Sequence, residues 1–153
     1  MEKTFVMLKP DAVQRGLVGE ITARFERKGL RLAGAKMIWL KDSQLDEHYS
    51  QYLGKEFFPR LKEFMGACPV LAMVWEGKDA VKVVRTLCGL TNGREALPGT
   101  IRGDYGMSLQ CNLVHASDSL QTAEREISRF FAKEELFAYG DALSEYRYAK
   151  DER

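Results

Sequence analysis

The sequence predicts an α+β fold built on one antiparallel sheet, and three observations carry that prediction. Apolar runs at residues 4–8, 70–75 and 109–115 have the length and composition of buried strands. Between them, apolar side chains recur at every third or fourth position over segments too long for strands, which marks amphipathic helices. With insertions set aside, the order is βαββαβ. That order is the ferredoxin-like arrangement, a four-stranded antiparallel sheet, and helices packed on one face of it would bury the strand runs.

Each element has its own signal. Thr4-Phe5-Val6-Met7-Leu8 forms the first strand, and Pro10, with no N–H to donate to a ladder, ends it. Over residues 12–28, Val13, Leu17, Ile21 and Phe25 recur every fourth position and predict a helix. Gly16 and Gly19 weaken its first turns, so the helix proper begins near Val18, and Gly29 stops it. Residues 30–39 predict the second strand. Asp42 or Ser43 caps a short helix through Tyr49, and a further helix covers residues 58–65, with Leu61, Phe64 and Met65 on one face. The nearby aromatics Tyr49, Tyr52, Phe57 and Phe58 read as core, with room for one exposed member to offer a stacking face at a cleft edge. His48 has no partner at a ligand spacing and reads as a surface or packing residue.

Residues 70–75 predict a central strand, and residues 78–88 a helix with Val81, Val84 and Cys88 on its apolar face. Residues 89–104 show no periodicity and carry four glycines among Thr91, Asn92, Arg94, Thr100 and Arg102. A loop of that length inside a compact domain is functional or interfacial. The last strand, 109–115, leads into a helix over 123–131 striped by Ala123, Ile127, Phe130 and Phe131. A single helical turn follows at 134–136, then a polar tail. With no repeats, low-complexity segments or linker, one domain over residues 1–153 is expected.

Bulk properties narrow the class. Hydrophobic residues make up 45% and charged residues 29% of the 153, the balance of a folded globular chain. A net charge of +1, from 23 basic and 22 acidic side chains, gives no global field for nucleic acid, which is not expected as the main partner. The start lacks a secretory pattern and no apolar run is long enough to span a bilayer. The three cysteines Cys68, Cys88 and Cys111 have no zinc-type spacing and cannot all pair, and read as buried thiols in a reducing, cytoplasmic setting.

The chemistry concentrates at Asn112-Leu113-Val114-His115-Ala116-Ser117-Asp118-Ser119. Two serines and an aspartate suited to capping follow a short apolar strand, so His115 lies where a strand ends and a helix begins, beside N–H groups that favour anions. Imidazole there is either a nucleophile toward a phosphoryl group or a half-buried structural side chain. Glu126, at the edge of the following apolar stripe, is either its orienting carboxylate or a solvated charge. Lys9 reads as a solvated strand-end charge or a phosphate ligand. Arg85 reads as a favourable charge at a helix C-terminus, worth roughly 0.3–1 kcal/mol, or as a guanidinium aimed at phosphate.

The octapeptide, Thr4-Phe5-Val6-Met7-Leu8-Lys9-Pro10-Asp11, and Pro98-Gly99-Thr100-Ile101-Arg102-Gly103-Asp104 together resemble the nucleoside diphosphate kinase family, in its order and spacing from about Lys3 to Tyr148. The resemblance implies the same ferredoxin-like fold. It also implies ping-pong transfer of the terminal phosphate of a nucleoside triphosphate to a nucleoside diphosphate through a phosphohistidine. By position, His115 is the implied nucleophile, and Ser117 and Glu126 its supports. Lys9, Tyr49, Arg85, Thr91, Arg102 and Asn112 are the implied phosphate and ribose ligands, and Phe57 the base-stacking aromatic. Magnesium is implied as a cofactor carried by the nucleotide phosphates, without a dedicated protein metal site. A homo-oligomer, hexamer or tetramer, is implied as well.

Three positions depart from the family pattern: Ala12 and Ala116 stand where glycine is usual and Gly93 where proline is. Ala116 narrows the backbone beside His115, which bears on rate. Gly93→Pro is expected to stabilise the chain by ~0.4–1 kcal/mol if the native backbone accepts proline. Two other classes remain alternatives on the same fold: a catalytically inactive scaffold and a nucleic-acid-binding module whose strand aromatics stack on bases.

Overall fold

A computed structural model describes residues 1–152. Its four strands are β1 (Glu2–Leu8), β2 (Arg31–Ile38), β3 (Val70–Gly77) and β4 (Val114–Ala116), in the spatial order β2-β3-β1-β4, all antiparallel. β1 runs the length of β3, from Glu2 opposite Gly77 to Leu8 opposite Leu71, and its other edge pairs with β4. This is the ferredoxin-like α+β sandwich predicted from the strand and helix order.

The helices are α1 (Pro10–Gln14), α2 (Val18–Lys28), α3 (Asp42–His48), α4 (Phe58–Gly66), α5 (Ala80–Cys88), α6 (Ile101–Tyr105), α7 (Leu120–Phe130) and α8 (Ser144–Arg147). α2 begins at Val18, where the glycines give way, and ends on Gly29 in the left-handed conformation at φ +100°. Short 3-10 turns at Ser50–Tyr52, Lys133–Glu135 and Lys150–Glu152 complete the chain, the middle one falling where a helical turn was expected.

Three expectations need correction. Helices cover both faces of the sheet, not one. Val6, Leu8, Met73 and Trp75 pack with Ile21 and Phe25 of α2 and Val84 of α5. Phe5, Met7, Ala72 and Val74, pointing the other way, pack with Leu45 of α3, Leu61 and Met65 of α4, and Phe130 of α7. Alternate residues of β1 therefore serve two cores, which is why the run is apolar without a break. The segment 89–104 is not wholly loop: α6 starts within it, capped by Thr100, whose Oγ1 accepts the Gly103 N–H at 3.0 Å. Of the cysteines, Cys68 and Cys88 are buried but Cys111 is exposed. Among the described residues, no helix is long and apolar enough to cross a membrane.

Candidate active site

Antiparallel pairing of β4 with β1 sets His115 opposite Met7. The strand predicted over 109–115 is only three residues long because Leu113 sits at φ +72°, a left-handed step uncommon for any residue with a Cβ. Two bonds hold that step. The Leu113 N–H donates to Asp11 Oδ2 at 3.0 Å, and the Lys9 N–H donates to the Leu113 carbonyl at 2.9 Å. The Lys9-Pro10-Asp11 turn thus fixes the backbone that delivers Asn112 and His115.

Beyond β4, Ser119 caps α7: its Oγ accepts the Thr122 N–H at 3.1 Å. The cap starts the helix at Leu120, three residues earlier than expected, and Glu126 two turns on faces inward. Its carboxylate is buried, so its charge needs partners. Oε1 lies 2.8 Å from His115 Nε2, and Oε2 accepts the Ser117 hydroxyl at 2.5 Å. A carboxylate on Nε2 holds the proton on that nitrogen and turns the Nδ1 lone pair outward. The His115 side chain remains 23% exposed, enough to meet a ligand.

Lys9, Arg85 and Arg102 are the candidate cations. Lys9 is 8% exposed, and its Nζ donates to Asn112 Oδ1 at 2.7 Å. Burial, and next the Arg102 charge, pull its pKa down to about 8. Asn112 is itself fixed, donating Nδ2 to the Leu109 carbonyl at 2.7 Å and the Thr91 carbonyl at 3.2 Å. Arg85 of α5 is exposed and reaches the Ala116 carbonyl at 3.5 Å. Arg102, by contrast, is buried and clamps three backbone carbonyls: Asn112 at 3.2 Å, Gly89 at 2.8 Å and Val114 at 2.5 Å. It braces the loop and β4 while part of its five-donor fork stays uncommitted.

On the other flank, Phe57 is 41% exposed and meets Tyr52 edge-on at 5.1 Å. It is the exposed member that the sequence allowed for among these aromatics. Tyr49 is buried, stacked on Tyr52, with a hydroxyl that has no hydrogen-bond partner among the described residues. Burial, and then Glu126, push that phenol's pKa up.

Direct contacts join Lys9, Thr91, Arg102 and Asn112 in one group and His115, Ser117 and Glu126 in another, Tyr49 and Phe57 meet through Tyr52, and the Arg85 side chain touches the Ala116 carbonyl. Sequence reasoning missed how far His48 enters the His115 group. It is buried, with its ring 4.7 Å from that of His115 and Nδ1 3.7 Å from Glu126 Oε1. Burial first, then the charges of His115, Arg129 and Lys9, drive its pKa down to about 2. No periodicity links α3 to β4, so no local signal could have found it. Two of the departures are accommodated: Ala12 lies buried in α1, and Ala116 pairs with Val6 in strand backbone, where alanine is unstrained. Gly93 behaves differently: a Cβ there would meet the Gly106 carbonyl oxygen at 2.3 Å, so the expectation for Gly93→Pro reverses.

Among the described residues, His48, His115 and Glu126 each bring one potential metal ligand within 4.8 Å of the others. Two imidazoles and one carboxylate do not suit magnesium, which takes oxygen ligands. Arg129 Nη1, 3.3 Å from His48 Nδ1, also opposes a cation there. These side chains do not form a magnesium site.

A ferredoxin-like sandwich that sets a carboxylate-held histidine among a lysine, two arginines and an exposed aromatic has the features of a phosphotransferase acting on nucleotides. Comparison with known proteins agrees. The family model described as nucleoside diphosphate kinase matches residues 2–136. Nucleoside diphosphate kinases of Parabacteroides distasonis and Archaeoglobus fulgidus are 60% and 53% identical, over 99% and 97% of this chain and 99% and 98% of theirs. A solved structure of the Halobacterium salinarum nucleoside diphosphate kinase in complex with CDP superposes with a TM-score of 0.94 at 47% identity, covering 97% of this chain and 99% of that one. The chain belongs to the nucleoside diphosphate kinase family.

Proposed function

We propose that the protein moves the terminal phosphate of a nucleoside triphosphate to a nucleoside diphosphate in two half-reactions through phosphorylated His115. The observation that carries this reading is the Ser117–Glu126–His115 chain, with contacts of 2.5 and 2.8 Å. With Nε2 held as a donor to the carboxylate, Nδ1 is the nitrogen that attacks the γ-phosphorus. The bond from phosphorus to the bridging oxygen breaks as the N–P bond forms, and the diphosphate leaves. A second diphosphate then takes the group back by the reverse step. Glu126 stabilises the positive charge that builds on the ring.

The remaining side chains position and neutralise, which is most of what phosphoryl transfer asks of a protein. Lys9 and Arg85 supply charge to the phosphates. Arg102 adds its remaining donors, and the Tyr49 hydroxyl and the Thr91 side chain add neutral ones. Asn112 holds the Lys9 ammonium and reaches the ribose. Phe57 stacks on the base, whose π-face all nucleobases share, so purines and pyrimidines are both accepted. Magnesium, if carried by the nucleotide phosphates, would supply further charge neutralisation there.

The proposal extends to the setting. The chain is one domain working in the cytoplasm as a homo-oligomer, hexamer or tetramer. Leu97, Met107 and Leu109, each more than half exposed, support burial against other copies. Sedimentation equilibrium distinguishes these states from a monomer.

The test of the chemistry is incubation with γ-labelled ATP. Wild type is expected to take up label that acid releases and alkali retains, with parallel initial-rate plots. His115→Ala is expected to take up none. A normally labelled His115→Ala would end the proposal.

A further inference from the structure

We propose that His48 is a positioning residue that keeps Arg129 off Glu126 and so reserves the carboxylate for His115. The inference rests on His115 as the nucleophile. Glu126 and Arg129 are three residues apart on α7, a spacing at which glutamate and arginine pair along a helix surface. Arg129 is instead held from outside the helix. Its Nε donates to Glu47 Oε1 at 2.8 Å, and its Nη1 meets His48 Nδ1 at 3.3 Å. Glu47 and His48 are consecutive at the end of α3, so one helix end takes both arms of the guanidinium.

His48 Nδ1 also lies 3.7 Å from Glu126 Oε1. The imidazole edge is thus within reach of both the cation and the carboxylate. Its orientation is set by packing on every side: His115 at 4.7 Å, Tyr49 at 4.5 Å and Phe130 at 5.3 Å between ring centroids, all T-shaped. With Nδ1 accepting from Arg129, the proton resides on Nε2. Burial, and then the charges of His115, Arg129 and Lys9, keep the ring neutral, with its pKa lowered to about 2. It satisfies the guanidinium without adding a charge beside the nucleophile.

Without that acceptor, Arg129 has an ionised partner one turn back on its own helix. Guanidinium–carboxylate bonds are among the strong, charge-assisted ones. A Glu126 so engaged loses lone pairs and negative charge to Arg129. His115 then loses the contact that holds its proton on Nε2 and its Nδ1 toward substrate. Slower phosphorylation follows, with nucleotide binding spared, because neither His48 nor Arg129 belongs to the proposed nucleotide contacts.

The experiment compares wild type, His48→Ala, His48→Phe, His48→Asn and the double variant His48→Phe/Arg129→Met. Phenylalanine fills the site but offers no acceptor, so it carries the test if the alanine variant does not fold. Asparagine restores an acceptor near the position of Nδ1. Three readouts are taken: the single-turnover rate of phosphoenzyme formation from ATP, nucleotide affinity, and the ring 15N shifts of His115, which report its tautomer. His48→Phe and His48→Ala are expected to slow phosphorylation roughly ten- to a hundredfold, the scale of a misplaced reacting group, with affinity little changed. The Nε2–H signature of His115 is expected to weaken with them. His48→Asn and the double variant are expected to recover rate and tautomer together.

A double variant as slow as His48→Phe would overturn the proposal, since Arg129 would then not be the agent. So would a His48→Phe enzyme with wild-type rate and tautomer. Phosphoenzyme formed in a His115→Ala background would instead overturn the assignment of the nucleophile, and the two failures are distinct.

Discussion

Gly93→Pro is expected to lower the stability of the folded protein, because position 93 lies against the backbone of Gly106. From sequence, proline stiffens the unfolded chain and stabilises by ~0.4–1 kcal/mol. In the folded protein, a Cβ at position 93 meets the Gly106 carbonyl oxygen at 2.3 Å, its carbonyl carbon at 2.5 Å and its Cα at 2.8 Å. All three are backbone atoms, so no side chain can swing aside. Neither strand of this contact is free to yield. The Gly106 N–H closes α6 on the Arg102 carbonyl at 2.8 Å, and on the other side the Asn92 carbonyl accepts from the Glu95 and Ala96 N–H groups. Arg94 Nη1 ties the two together through the Met107 carbonyl at 3.1 Å. Forcing one or more carbons into such a contact costs about 1–3 kcal/mol. At roughly 2–4 °C per kcal/mol for a chain of this size, the melting midpoint should fall by several degrees. The assay is thermal unfolding of wild type, Gly93→Ala and Gly93→Pro at matched protein concentration, because assembly couples stability to concentration. Gly93→Ala carries the same Cβ and should already show most of the loss. A midpoint for Gly93→Pro at or above wild type would refute the reasoning and mean that the 93 and 106 segments part freely.

Three further outcomes follow from the site. Lys9 loses its proton at about pH 8, chiefly through burial. Raising pH through that value removes a positive charge from the free enzyme, so kcat/KM for nucleotide should fall there. Lys9→Arg, charged throughout, should have a lower plateau but no such fall between roughly pH 7 and 9; an unchanged inflection would assign the titration elsewhere. Phe57→Ala should weaken binding of every nucleotide alike, by ~1–3 kcal/mol for a lost stacking face. Calorimetry with a purine and a pyrimidine diphosphate checks this, and loss of only one base would point to recognition of base edges. Glu126→Gln keeps the shape but removes the charge that faces His115. Stopped-flow phosphorylation should slow while nucleotide affinity holds, and weaker affinity alone would remove Glu126 from its supporting role.

What the sequence made legible, and what it hid, divides by the range of the interaction involved. The first three strands, the helix stripes and the Gly29 stop are written in neighbouring residues, and those readings match the structure. The second covered face was also legible: β1 is a continuous apolar run rather than an alternating one, the mark of a strand buried on both sides. α6 was hidden because glycine and proline mask a helix of five residues that depends on the Thr100 cap rather than on periodicity. The left-handed step at Leu113 was hidden more deeply. It depends on Asp11, 102 residues earlier, and a leucine in an apolar run reads as strand until that carboxylate is in place. His48 lies 81 residues from Arg129, and its burial, neutrality and acceptor nitrogen exist only once α3 packs against α7. Candidate reactive groups reveal themselves by residue type and motif. The groups that would orient them are chosen by tertiary geometry: under the roles proposed above, His48 and His115 are the same residue type in the sequence, and only the packing of α3 against α7 separates the orienting ring from the nucleophile.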